Sequence, residues 1–132
     1  MINKLIGPEC LGKFAAPVGR ILLSAIFIMA GIKKITGYAG TQAYMESFNV
    51  PGLLLPLVIA VEVGAGLALL LGYKARLAAF LLAGFTLLSA FIFHNNFGDQ
   101  TQFLFFMKNL AIAGGLLMVM AHGAGNYAIN KE

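Results

Sequence analysis

The segment LLLPLVIAVEVGAGLALLLG, Leu53 to Gly72, carries one charge, Glu62, among residues that are otherwise apolar, glycine or a proline near its start. At about 1.5 Å of rise per residue, a helix of this length reaches roughly 30 Å, the thickness of a bilayer's hydrocarbon layer. It has no polar face to offer water, so it reads as a membrane-spanning helix, and the chain around it reads the same way. Upstream, Pro17 to Thr36 forms a first apolar run; downstream, Arg76 to His94 and Phe103 to His122 form a third and a fourth. The 132-residue chain is 60% hydrophobic and 11% charged, with a mean hydropathy of +0.87, far from the composition of soluble domains. Only helices and closed barrels satisfy the backbone inside lipid, and these continuous runs lack the alternation of barrel strands. The expectation is an all-α integral membrane four-helix bundle, a single domain over residues 1–132, with spans at about 17–36, 53–72, 76–94 and 103–122.

The connections fit that reading. GYKAR, between the second and third runs, is short enough to make those helices antiparallel neighbours. GYAGTQAYMESFNVPG, Gly37 to Gly52, is longer. With Thr41 as a cap and Tyr38, Tyr44, Met45 and Phe48 at the headgroup boundary, it predicts a short interfacial helix at about 41–48.

Four spans put both termini on one side of the membrane. That side receives Lys4, Lys13, Arg20, Lys74, Arg76 and Lys131, and the other Lys33, Lys34 and Lys108. Six cations against three place the termini in the cytoplasm. The formal charge of +4 therefore reads as topology and phospholipid contact. No soluble basic surface interleaved with aromatics is present, which argues against nucleic acid as a partner. No clear A-x-A site follows the first run, so it is expected to stay uncleaved. The lone Cys10 excludes an internal disulfide or a C-x-x-C redox pair.

Ionisable groups inside a span are expensive, so they face the bundle interior and seek partners. Here they are Arg20 and Lys34 on the first run, Glu62 on the second, His94 ending the third with Asn95, and Lys108 with Asn109 on the fourth. Arg20, Ser24, Phe27, Gly31 and Lys34 follow helical spacing and share one stripe, which is expected to face inward. On the second run, Ala60, Gly64 and Ala68 form a small-residue row suited to close helix approach, and Glu62 with Gly66 forms another through which a polar side chain enters the bundle. Ala111 and Gly115 offer similar packing on the fourth run. Glu62 lies too deep for its short side chain to reach water, so it needs a cationic partner or a proton. Arg20 and Lys33 also fit simple snorkelling, His94 and His122 simple helix ends, and a Glu62 ion pair a purely structural role. Two separated histidines expected on opposite membrane faces and one distant cysteine predict neither haem nor metal.

The residues also resemble a known family. Arg20 opening the first span, Gly31 and Lys34 closing it, Val50–Pro51, mid-span Glu62, Arg76 opening the third span, His94 in FIFHNNF, and Lys108–Asn109 in FMKNLAIAGGLL resemble the DoxX family of small four-span bacterial inner-membrane proteins, over about residues 17–122. The resemblance implies membrane redox. DoxX relatives are associated with quinone-reducing thiosulfate dehydrogenase and with complexes that protect against oxidative stress. This chain shows no extra soluble domain and no metal–thiolate motif, so quinone contact is the portable part.

The leading expectation is a quinone-linked redox subunit. A lipid-soluble quinone would enter between apolar helices, with Glu62, His94 and Lys108 handling protons and Arg20, Lys34 and Asn109 holding the ring oxygens. Phe91, Phe93, Phe103, Phe105 and Phe106 would line its path or simply pack. A non-catalytic assembly or adaptor protein, binding redox partner subunits or a second copy through its helices, is the alternative. A small-anion or proton transporter is disfavoured by the lack of an inverted repeat.

Overall fold

The described residues of the computed structural model are 8–125, 128 and 129, with side chains from Phe14 onward. Lys4 and Lys131, used in the orientation count, lie outside them, as do the side chains of Cys10 and Lys13. Within these bounds the chain forms five helices and no strand: α1 (Pro8–Thr36), α2 (Tyr38–Ser47), α3 (Gly52–Leu71), α4 (Ala75–Phe93) and α5 (Gln100–His122). Four of them, α1 over Phe14–Thr36 and the whole of α3, α4 and α5, are long and apolar enough to cross a membrane.

The helix ends differ from the expected ones for local reasons. Gly37 breaks the α1 axis at φ −111°, ψ 44°, and α2 begins directly after it rather than at Thr41. Thr41 is therefore inside the helix, and its hydroxyl donates back to the Gly37 carbonyl at 2.9 Å instead of capping. Asp99 caps α5 by accepting from the Thr101 N–H at 2.9 Å, which starts that helix three residues before the apolar run does. At the end of α3, Gly72 is left-handed at φ 72°. There the Tyr73 N–H bonds the Ala68 carbonyl at 2.8 Å and the Gly72 N–H bonds that of Leu69 at 3.2 Å, the paired bonds of a Schellman stop.

Two close pairs build the bundle. On α4, the buried Ala75, Ala78, Ala79, Leu82, Ala83, Thr86 and Ala90 recur at helical spacing, and this face of mostly small residues lets α5 lie close along it. Between α1 and α3 the contact is tighter. A Cβ on Gly31 would run into Val63, and one on Gly66 would meet Ile28 at 3.0 Å. In lipid, association rests on such close packing rather than on escape from water. Phe27, Leu69, Leu82 and Leu116 fill the centre, while Leu22, Met29, Leu88 and Met118 point outward as a surface for acyl chains.

The stripe expected on the first span does face inward: Arg20, Ser24, Phe27 and Gly31 are buried and Lys34 is partly buried. The α3 small-residue row does not. Ala60 and Gly64 are exposed, and the row borders a surface groove, whereas Glu62 and Gly66 meet α1. Both rows are narrow enough for close approach. The carboxylate decides between them, because only one rotation of α3 puts Glu62 beside a cation.

Beyond α5, Gly125 at φ 75° brings the backbone against Ala16, Ala128 packs on Gly72, and the Ile129 N–H bonds the Leu71 carbonyl at 3.0 Å.

Candidate functional site

Glu62 lies in a wide turn. Residues Ala60–Ala65 of α3 adopt π-helical geometry between two α-helical pieces, a local expansion that recurs at functional positions and carries some backbone cost. The Glu62 side chain is 3% exposed, and its Oε1 lies 2.6 Å from Nζ of Lys34, which is 26% exposed. Glu62 thus has its cation, supplied from the last turn of α1. Taking two charges out of water offsets much of their attraction, so the pair fixes geometry more than it adds stability.

Two cavities meet at this pair. The smaller, about 190 Å³, is walled by Glu62, Lys34, Thr86, Ser89, Lys108 and Asn109 with apolar residues of α1, α4 and α5. The larger, about 340 Å³, falls at the lower end of the roughly 300–1,000 Å³ of ligand pockets. Its walls include Lys34, Thr41, Tyr44, Phe85, Phe93 and His94. Lys34, Phe85 and Ser89 border both spaces.

The interfacial helix closes one end of this region. Tyr44 stacks on Phe93 at 5.4 Å between centroids, and Phe48 meets Phe93 edge-on at 5.0 Å. Gln42 donates to the Gly52 carbonyl at 3.2 Å, tying α2 to the start of α3. His94 Nδ1 lies 2.8 Å from Gln102 Oε1. With the ring proton on Nδ1, that nitrogen donates and Nε2 is left as the ring's acceptor. Phe105 packs against His94 at 5.3 Å and carries Lys108 Nζ 5.0 Å over its face, a cation–π contact at an exposed side chain. Asn109 donates to the Thr86 carbonyl at 3.4 Å, while the Thr86 hydroxyl donates to Leu82 at 2.6 Å.

Of the six residues singled out from the sequence, Lys34, Glu62, Lys108 and Asn109 share the smaller cavity, and His94 joins Lys34 at the larger. Arg20 does not join them. It shares their stripe but stands fourteen residues from Lys34 along α1, about 21 Å at helical rise. There it donates from Nη1 to the Leu70 carbonyl at 2.9 Å, serving the carbonyl end of α3, where helix geometry leaves acceptors over. Among the five phenylalanines proposed as a ligand path, Phe93 borders the larger cavity. Phe91 packs on Phe106, Phe103 on Phe97 and Phe105 on His94. Sequence reasoning missed Phe85 and Ser89, which separate the cavities, and Gln102, which orients His94. Ser89 and Gln102 are ordinary polar residues at span ends; only their partners mark them.

Comparison with known proteins agrees with this architecture. The DoxX family model matches residues 15–95. The chain is 55% identical over 114 residues to the inner membrane protein YqjF of Escherichia coli (strain K12), covering 86% of this chain and 88% of that protein. It is 35% identical over 122 residues to the inner membrane protein YphA of the same organism, covering 87% of each. No solved structure matches the chain.

Proposed function

Since the chain belongs to the DoxX family, we propose that it works in an inner membrane as a quinone-binding subunit, with the larger cavity as the ring site. The observation that carries this reading is the position of Lys34, whose ammonium pairs with Glu62 and borders both cavities. A quinone presents two ring oxygens on a flat apolar body. The larger cavity offers matching groups: the Lys34 ammonium and the Tyr44 hydroxyl as donors, Phe85 and Phe93 as flat apolar walls, and His94.

When bound, a quinone takes up two electrons, here from a redox partner subunit, together with two protons. Lys34 would donate a hydrogen bond to one ring oxygen. Glu62 keeps that ammonium in place and compensates its charge away from water. A proton given up at Nζ is replaced through the smaller cavity, whose wall also carries Lys108 and Asn109. His94, its Nδ1 held by Gln102, would take up a proton at Nε2 and pass it to the second ring oxygen, so that Lys34 and His94 would each deliver one of the two protons. Arg20 has no part in this chemistry. In this reading both termini lie in the cytoplasm, which the lysine and arginine count supports, and the two cavities lie toward the opposite face.

The test is extraction in a mild detergent followed by quinone analysis, with titration of a short-chain quinone against intrinsic tyrosine fluorescence. Wild-type protein should retain quinone and bind the probe saturably, and Lys34→Met and His94→Ala should each weaken binding about tenfold or more. No retained quinone and no saturable probe binding would overturn the proposal.

A further inference from the structure

On the opposite side of α3 from the ion pair, a groove of about 330 Å³ runs between α3 and α4. Its floor is the outward row Ala60, Gly64 and Ala68, its far wall is Leu77 and Leu81 of α4, and its mouth is Tyr73 and Lys74 at the α3–α4 turn. From Ala60 to Ala68 the floor extends about 12 Å at helical rise, and with the last turn of α3 between Ala68 and the mouth the groove reaches about half of the ~30 Å hydrocarbon layer. A crossing helix from another protein would need a seam through both leaflets. This one ends at the middle of the membrane, the depth reached by one acyl chain.

The mouth is charged. Lys74 is held in a left-handed conformation at φ 46° directly before α4, and its ammonium lies 5.8 Å over the Tyr73 ring. Arg76, two residues on, is exposed, and no side chain caps the start of α4. Lys74 at the mouth, Arg76 two residues beyond it and the positive end of a 19-residue helix dipole thus lie at the end of the groove where a lipid phosphate would stand.

We infer that this groove is a binding site for one anionic phospholipid of the leaflet at the Lys74 end, with an acyl chain along Ala60–Gly64–Ala68 and the phosphate at Lys74 and Arg76. The apolar length selects a lipid and the charged mouth selects its headgroup. The site is independent of the quinone reading, because no residue of the groove borders either of the other cavities.

Native mass spectrometry of the full chain in detergent, mixed with phosphatidylglycerol or phosphatidylcholine, tests the inference with two variants that attack opposite ends. Lys74→Asn removes the charge while keeping a residue that tolerates the left-handed conformation. Gly64→Leu fills the floor at a position where a Cβ meets nothing within 4 Å. Wild type should retain one phosphatidylglycerol in preference to phosphatidylcholine. Lys74→Asn should reduce that preference roughly fivefold, and Gly64→Leu should weaken retention of both lipids. Equal retention of the two lipids by wild type, or undiminished retention by Gly64→Leu, overturns the inference. So does a wild-type dimer that Gly64→Leu dissociates, which would give the groove to a second copy of the chain.

Discussion

Replacing Lys34 with methionine leaves the Glu62 carboxylate, 3% exposed, inside the bundle without its cation. Removing one partner of a buried pair is expected to destabilise by about 3–5 kcal/mol. The carboxyl has one escape, which is to bind a proton. Starting from the ordinary glutamate value near 4.3, binding a proton at pH 7 costs about 3.7 kcal/mol, and at pH 5 about 1 kcal/mol. The Lys34→Met penalty should therefore be about 3–4 kcal/mol at pH 7 and fall by more than half at pH 5, since the neutral form becomes cheaper as pH falls. Glu62→Gln is the smaller insult, about 1 kcal/mol, because Lys34 is 26% exposed and its long stem can carry the ammonium toward the cavity. Lys34→Met combined with Glu62→Leu should approach wild-type stability, as apolar replacement of a buried pair often does. Denaturant unfolding in micelles at the two pH values, read by circular dichroism, measures all four proteins. Equal penalties for the two single variants, or a Lys34→Met penalty independent of pH, would refute the reasoning.

Other expectations follow from single contacts. Gly31→Ala should destabilise by about 1–3 kcal/mol through overpacking against Val63, whereas Gly84→Ala, which meets nothing within 4 Å, should be neutral or gain up to about 1 kcal/mol from helix propensity. Thermal unfolding of the two variants side by side checks the contrast. Arg20→Met removes a charged donor from the Leu70 carbonyl and should cost about 1.5–3 kcal/mol; amide exchange should quicken around residues 68–73 and stay unchanged at Glu62. Gln102→Leu removes the His94 hydrogen bond and should shift the ring's proton resonances in an NMR spectrum while leaving helix content intact.

The four long apolar helices were legible because the bilayer imposes one length on every apolar run, although the first helix reaches back to Pro8, well before its apolar run begins. The inward stripe from Arg20 to Lys34 was legible for a similar reason, since a helix allows only one line through those five residues. Three features were not. Thr41 has the chemistry of a cap, but Gly37 had already broken the chain, and a residue's propensity for a position does not say whether the position exists. The rows of α3 were interchangeable by size, and the choice turned on the partner of Glu62, a contact between residues 28 apart. Arg20 and Lys34 share a face, so angular periodicity grouped them; the distance along the axis separated them. The wide turn around Glu62 has no local signature in AVEVGA, whose residues are all compatible with an ordinary helix.

The return of the chain past His122 bears on how this protein is handled in the laboratory. With Ala124 buried, Ala128 seated on Gly72 and Ile129 tethered to Leu71, the last turn of α3 is latched by residues that a truncation would discard. Reporter enzymes fused directly after His122 would score the membrane sidedness of a protein missing its latch. Affinity tags and topology reporters belong beyond Ile129, and a cut at residue 123 should be judged by whether the protein still withstands proteolysis at the Gly72–Lys74 corner.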